Sequence, residues 1–179
     1  QQVSRSPSTV VNARLDIGDH DRYAEGFRYI YPVVSRRAKG VSVGVNLNPN
    51  DACNWRCAYC QVEGLQFGKG PAIDQARLEG ELRELLGAIV NGDFLTQRAP
   101  VGSRRLNDVA FSGNGEPTSS PDFISALETV GGVLDDFDLL GTLPIILITN
   151  GSLAHKEAVQ RGLRRANDFG GVAWFKLDG

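Results

Sequence analysis

Four times along the chain, a run of apolar or alternating residues gives way to a short polar turn. Val41-Ser42-Val43-Gly44-Val45-Asn46-Leu47 alternates apolar with small or polar residues, the period-two signal of a strand. Asn48-Pro49-Asn50-Asp51 ends it. A second strand, Leu106 to Phe111, runs into Ser112-Gly113-Asn114-Gly115-Glu116-Pro117-Thr118. Pro144 to Ile148 is almost wholly apolar, as expected of a parallel strand buried on both faces, and closes on Thr149-Asn150-Gly151. The fourth strand is expected over Val172 to Leu177, with Lys176 and Asp178 marking its end.

Helical patterns fill the intervals. Between Asp74 and Val90, residues Leu78, Leu82, Leu85, Leu86 and Ile89 share one face at 3.6-residue spacing. Asp74 is placed to cap the start, and Asn91-Gly92 ends the run. A second helix is expected behind a Ser120 cap with Pro121 at its first position, and Gly131-Gly132 is a candidate break. A third runs from about 154 to 166 with Arg161, Arg164 and Arg165 outside. Residues 1–27 are polar and aperiodic and read as a surface arm. The short apolar edge Tyr29 to Val34 leads into Ser35-Arg36-Arg37-Ala38-Lys39-Gly40. Paired Arg side chains suit an oxyanion, and a solvated basic turn explains the same run. The organisation expected is therefore an arm and basic segment over 1–40 and an α/β domain over 41–179.

Strand–helix alternation implies a parallel sheet. Parallel strands deliver all four polar turns to one rim, where both closed barrels and open α/β sheets bind ligands. Composition adds limits. At 179 residues with 41% hydrophobic and 22% charged residues, the chain suits one soluble domain. The net charge of −2 gives no global pull toward nucleic acid or membrane. No apolar run approaches membrane-span length, no signal peptide is visible, and unpaired thiols fit a reducing cytoplasm. The chain has no methionine and starts Gln1-Gln2, and its last residues fall just past a strand, so a piece of a longer protein is expected.

The chemistry concentrates in Cys53-Asn54-Trp55-Arg56-Cys57-Ala58-Tyr59-Cys60, which holds all three cysteines as C-x3-C-x2-C. Three thiolates on one short loop suit a single soft metal centre. A disulfide framework fails on the odd count. A structural zinc site wants a fourth ligand, and His20 and His155 stand singly and far away in sequence. A four-iron cluster held by three thiolates keeps one iron open, whereas an electron carrier ordinarily has a fourth Cys.

This loop, with an aromatic before its last cysteine, resembles the signature of the radical S-adenosylmethionine (SAM) superfamily. The resemblance covers most of 29–179 and implies a (β/α) barrel, of which about four units are present. It implies a [4Fe-4S] cluster on Cys53, Cys57 and Cys60 whose open iron chelates SAM, and reductive cleavage of SAM to a 5′-deoxyadenosyl radical. Asn114-Gly115-Glu116-Pro117 resembles the family's Gly-Gly-Glu-Pro segment, whose backbone receives the SAM amino group, with Asn in place of the first Gly. Asn150 then falls near the ribose and carboxylate, Tyr59 near the adenine, and Lys176 matches a lysine that reaches SAM in some members. Tyr31 to Arg37 together with the cysteine and Gly-Asn-Gly-Glu-Pro-Thr segments resembles a group commonly classed with the tRNA wyosine-base synthases, but the cysteines of a second cluster are absent. A tRNA base, with Arg36, Arg37, Arg104 and Arg105 meeting phosphates, is one candidate substrate; a protein or small molecule is another. A flavodoxin or ferredoxin is the expected electron donor. The competing reading is a non-catalytic iron–sulfur protein for electron transfer or redox sensing.

Overall fold

Gly40–Val45, the sequence GVSVGV, is buried throughout, and its composition explains how. Branched Val43 and Val45 enter the main apolar core, while Gly40, Ser42 and Gly44 leave room on the opposite face. The computed structural model describes residues 15–16, 26–35 and 39–176. Its main sheet has five strands, β1 (Ile30–Ser35), β2 (Gly40–Val45), β5 (Leu106–Phe111), β6 (Ile145–Thr149) and β7 (Val172–Phe175), hydrogen-bonded in that order. β2, β5, β6 and β7 are mutually parallel; β1 is antiparallel to β2. Two-residue strands β3 (Ala52–Cys53) and β4 (Gln66–Phe67) form a separate parallel pair. The class is therefore α/β with a mostly parallel sheet.

β1 pairs with β2 along its whole length, so residues 30–35, assigned from sequence to the arm and basic segment, are an edge of the sheet. Its entry is held by Glu81, whose carboxylate accepts the backbone N–H groups of Arg28, Tyr29 and Ile30 at 2.8, 2.8 and 3.2 Å. Glu81 belongs to α1 (Gln75–Val90), where Leu78, Leu82, Leu85, Leu86 and Ile89 are buried as their spacing predicts. The Asp74 cap forms, its side chain accepting from Arg77 N at 3.0 Å. A short helix α2 (Phe94–Arg98) follows.

α3 (Phe123–Asp136) departs from expectation twice. It starts after Pro121, because Ser120 Oγ is engaged with the Pro71 carbonyl and Asp122 N, and Asp122 accepts Ile73 N at 2.7 Å. It also runs unbroken through Gly131-Gly132. A Cβ on Gly131 would stand 2.6 Å from the Phe169 ring, so the glycine seats an aromatic rather than ending the helix. α4 (Glu157–Asp168) begins three residues later than expected, after a turn over 152–155. β7 ends at Phe175, and Asp178 lies outside the described residues.

The crossovers β5–α3–β6–α4–β7 step in one direction, which keeps their helices on one face of the sheet. Phe111, Ile145 and Leu147 meet Leu82, Leu86, Leu127 and Leu134 there. No helix among the described residues is long and apolar enough to cross a membrane.

Candidate functional site

Because β2, β5, β6 and β7 are parallel and adjacent, the segments that leave their carboxyl ends emerge side by side. They enclose a cavity of about 160 Å³ lined by Cys53, Cys57, Cys60, Gly113 to Glu116, Asn150 and Lys176, with Trp55 and Tyr59 at its wall. The structure thus brings together all nine residues assigned from sequence to cluster and SAM binding. The arginines behave differently. Arg104 and Arg105 precede β5 and stand at the opposite, amino-terminal end of the sheet; Arg36 and Arg37 lie outside the described residues.

The cysteine segment is an excursion with a closed neck. Ala52 pairs with Gln66 and Cys53 with Phe67; Gln66 N donates to Asp51 O at 2.8 Å and Gly68 N to Cys53 O at 3.0 Å. Asp51 turns into the neck with φ +53°, a left-handed conformation that Asp tolerates. Within the excursion, Cys60 N donates to Cys57 O at 3.1 Å, closing a turn between the last two cysteines. Cys53 and Cys57 are half-buried and Cys60 is exposed. Burial pushes the Cys53 thiol above its ordinary value; hydrogen bonds from the backbone of Trp55 and Glu116 oppose this, and the nearby Glu116 and Cys57 charges reinforce it.

The loop after β5 lies hard against this neck. A Cβ on Gly113 would come within 2.2 Å of Asn46 Oδ1, and one on Gly115 within 2.1 Å of the Ala52 carbonyl oxygen. The glycine at 115 is therefore demanded by the protein's own backbone, whatever ligand enters the cavity. Asn114, in the position where a Gly was expected, sends Nδ2 to Asp51 Oδ1 at 2.7 Å and ties the loop to the exit of β2.

Glu116 is 2% exposed, and its carboxylate is occupied by protein. Oε1 accepts from Thr118 N (3.2 Å), Thr118 Oγ1 (2.5 Å) and Thr149 Oγ1 (2.6 Å); Oε2 accepts from Asn150 N (2.7 Å). A contact between this carboxylate and a ligand ammonium would compete with this clamp. What the carboxylate does here is lock the loop after β5 to the loop after β6.

Asn150 extends the network to the cysteines. Its Nδ2 donates to Asn54 Oδ1 at 3.1 Å, Asn54 Nδ2 donates to Ser152 Oγ at 2.8 Å, and Ser152 N returns to Asn150 Oδ1 at 3.0 Å. Gly151, at φ +72°, makes the turn that lets Ser152 come back. Lys176 is exposed, with its backbone N–H on Thr149 O at 2.9 Å. Sequence reasoning missed Asn46, Asn48, Asn54 and Ser152. Asn46 and Asn48 are wholly buried. Asn46 Oδ1 accepts from Asn48 N and Asn114 N, and Asn48 Nδ2 donates to Ala52 O at 2.9 Å. Their one sequence signal is a pair of carboxamides two residues apart, where a buried strand gives way to its turn.

Among the described residues, no three His, Cys, Asp or Glu side chains are grouped as a metal site. The chemistry of the cavity's donors nevertheless fits a soft metal centre with an open position. It offers three thiols, and its one carboxylate, Glu116, is already hydrogen-bonded by four donors.

Two curated proteins are similar to the chain. One is the GTPase Obg of Brachyspira hyodysenteriae, 28% identical over 156 residues, covering 84% of this chain and 20% of that protein. The other is the UPF0026 protein MJ1312 of Methanocaldococcus jannaschii, 31% identical over 133 residues, covering 74% of this chain and 36% of that protein. The chain spans a fifth to about a third of the length of these relatives. No family model matches it, and no solved structure does.

Proposed function

We propose that the protein is a radical SAM enzyme, holding one [4Fe-4S] cluster on Cys53, Cys57 and Cys60 with SAM on the remaining iron. The observation that carries this reading is the single cavity in which the three thiols meet the loops after β5 and β6 and the end of β7. A non-catalytic iron–sulfur carrier needs the thiols but not that convergence. Helices on one face and polar strand ends on one rim also suit the partial (β/α) barrel that the reading implies.

Bound cluster and SAM would supply reductive cleavage of SAM and hydrogen abstraction from a substrate; the protein's part is to bind, orient and exclude water. Cys53, Cys57 and Cys60 would hold the cluster as thiolates, so the Cys53 thiol, which burial favours in its protonated form, would give up its proton on ligation. Lys176 offers a positive charge to the SAM carboxylate, Tyr59 an aromatic face to its adenine, and Asn150 a hydrogen-bonding group near its ribose. Glu116 and Asn54 act through others: they hold the Asn150 loop against the cysteine segment. A flavodoxin or ferredoxin is the proposed reductant. A tRNA base remains one substrate candidate, without Arg104 and Arg105, which stand at the wrong end of the sheet. The GTPase name of one relative lends no activity here, because the sequence contains no Gly-x4-Gly-Lys-Ser/Thr phosphate loop.

Anaerobic reconstitution followed by iron and sulfide analysis tests the reading. About four irons per chain are expected, with an electron paramagnetic resonance spectrum that SAM perturbs and 5′-deoxyadenosine formed on reduction. Cys57→Ala should abolish deoxyadenosine formation while leaving the fold intact. Stoichiometric zinc in place of iron, or a spectrum indifferent to SAM, would overturn the proposal.

A further inference from the structure

The sheet has a second face, turned away from the helices, and it is not flat. The register brings Ser42 beside Asp108, Gly44 beside Ala110, and Ile148 beside Trp174. Small residues in the middle rows leave a cavity of about 230 Å³, bounded at one end by Asp108 and Ser42 and at the other by Ser112, Ile148 and Trp174. Tyr31 lies over Gly44, where a Cβ would come within 2.1 Å of its ring, and its hydroxyl meets Ser112 Oγ at 2.8 Å. Ile148 lines both this cavity and the cysteine cavity, so the two adjoin. From Asp108 to Gly113 is five residues of β5 and its exit, about 16 Å of extended chain.

Asp108 is the one charged side chain among the described residues that line the second cavity. Its carboxylate accepts from Ser42 Oγ. The remaining walls are mostly aliphatic, with an indole at the mouth. A half-buried carboxylate with one hydroxyl partner is poorly solvated, and a cation brought to it relieves that cost. In line with this, burial pushes the Asp108 carboxyl above its ordinary value, and the Ser42 hydrogen bond opposes the shift.

We infer that this cavity takes a small organic cation, a protonated amine on an alkyl chain, with the amine on Asp108 and the chain extending past Ala110 toward Ile148. Charge complementarity selects the head, and the aliphatic walls select the tail. As a statement about the substrate, this rests on the proposed radical chemistry, because it directs the far end of the molecule to the cysteine cavity. As a statement about binding it does not, and the test reads binding alone.

Iron-free protein is titrated with n-butylammonium chloride, with potassium chloride matched, and separately with 1-butanol, following backbone amide resonances. Saturable shifts at Ser42, Ala110 and Ile148 are expected from butylammonium, with weaker binding of butanol. Asp108→Asn should weaken butylammonium by about tenfold or more, the loss of one charge-assisted contact, and leave butanol nearly unchanged. Ala110→Leu should exclude both by filling the cavity. Should Asp108→Asn fail to give a dispersed spectrum, Ser42→Ala, which frees the carboxylate from its holder, is expected to change the butylammonium affinity without changing that of butanol. No saturable shifts, equal affinity for the two probes, or full retention of butylammonium by Asp108→Asn overturns the inference. Failure of the iron reconstitution leaves these results untouched.

Discussion

The apolar layer under the helices and the polar layer at the carboxyl ends of the strands are held together in opposite ways. Under α1 and α3, Phe111 meets Phe123 edge-on, ring centres 6.1 Å apart, within a crowd of Leu, Val and Ile. Attraction there is non-directional and shared among many neighbours. At the strand ends the attraction is directional and falls on named partners: Asn54 meets Asn150, and the Glu116 carboxylate meets Asn150, Thr149 and Thr118. The first layer tolerates error in orientation, whereas the second tolerates almost none. It can therefore hold a reactive centre to a fixed geometry at small cost in surface.

Breaking the first layer should have the largest effect on stability. Phe111→Ala removes a wholly buried ring and should cost about 3–5 kcal/mol, read as a lowered urea midpoint with unchanged slope. Glu116→Gln sharpens the comparison, since it keeps shape and volume. It turns one acceptor oxygen into a donor facing Thr149 Oγ1 or Asn150 N, so about 1–3 kcal/mol should be lost. Amide exchange should accelerate at Asn150 more than at Leu127 in the apolar layer. Equal acceleration at both would mean that the clamp is not local. Smallest of all is the ion pair between Arg165 and Glu128, at 2.6 Å on the outer surface. Arg165 holds the Glu128 carboxyl below its usual range. A depressed folded value means stability that is present above the ordinary carboxylate value and lost as pH falls through the lower folded one. Glu128→Gln should cost at most about 0.5 kcal/mol at neutral pH and nothing once the carboxyl is protonated, as thermal melts across that range would show.

The same contrast explains what could be read in advance. The face of α1 was legible because five aliphatic residues repeat at helical spacing, and burial needs nothing more than that. That the strands run parallel and share one rim followed from alternation; their order, with antiparallel β1 at the edge, did not. Glu81 was not legible: a Glu among leucines reads as solvent-facing until β1 supplies three backbone N–H groups for it. The unbroken α3 was hidden because Gly131 answers to Phe169, thirty-eight residues away. At the site, the cysteines and the residues that line the cavity could be named from spacing and resemblance. The work those residues do could not, because Glu116 and Asn114 take their roles from Thr149, Asn150 and Asp51 across the rim. Asn54 carries no signal of its own.

The two-residue ladder between Ala52–Cys53 and Gln66–Phe67 has a consequence for how the thiols act as a group. With the neck closed, the entropy of loop closure is already spent before any ligand arrives. Cys57 and Cys60 follow Cys53 by four and seven residues, tethers of about 14 and 24 Å at full extension. Such short leashes hold each thiol near its neighbours at an effective concentration of about millimolar. Under the proposed cluster reading, capture of a first metal ion by one sulfur would become capture by three, with no movement asked of the sheet behind the neck.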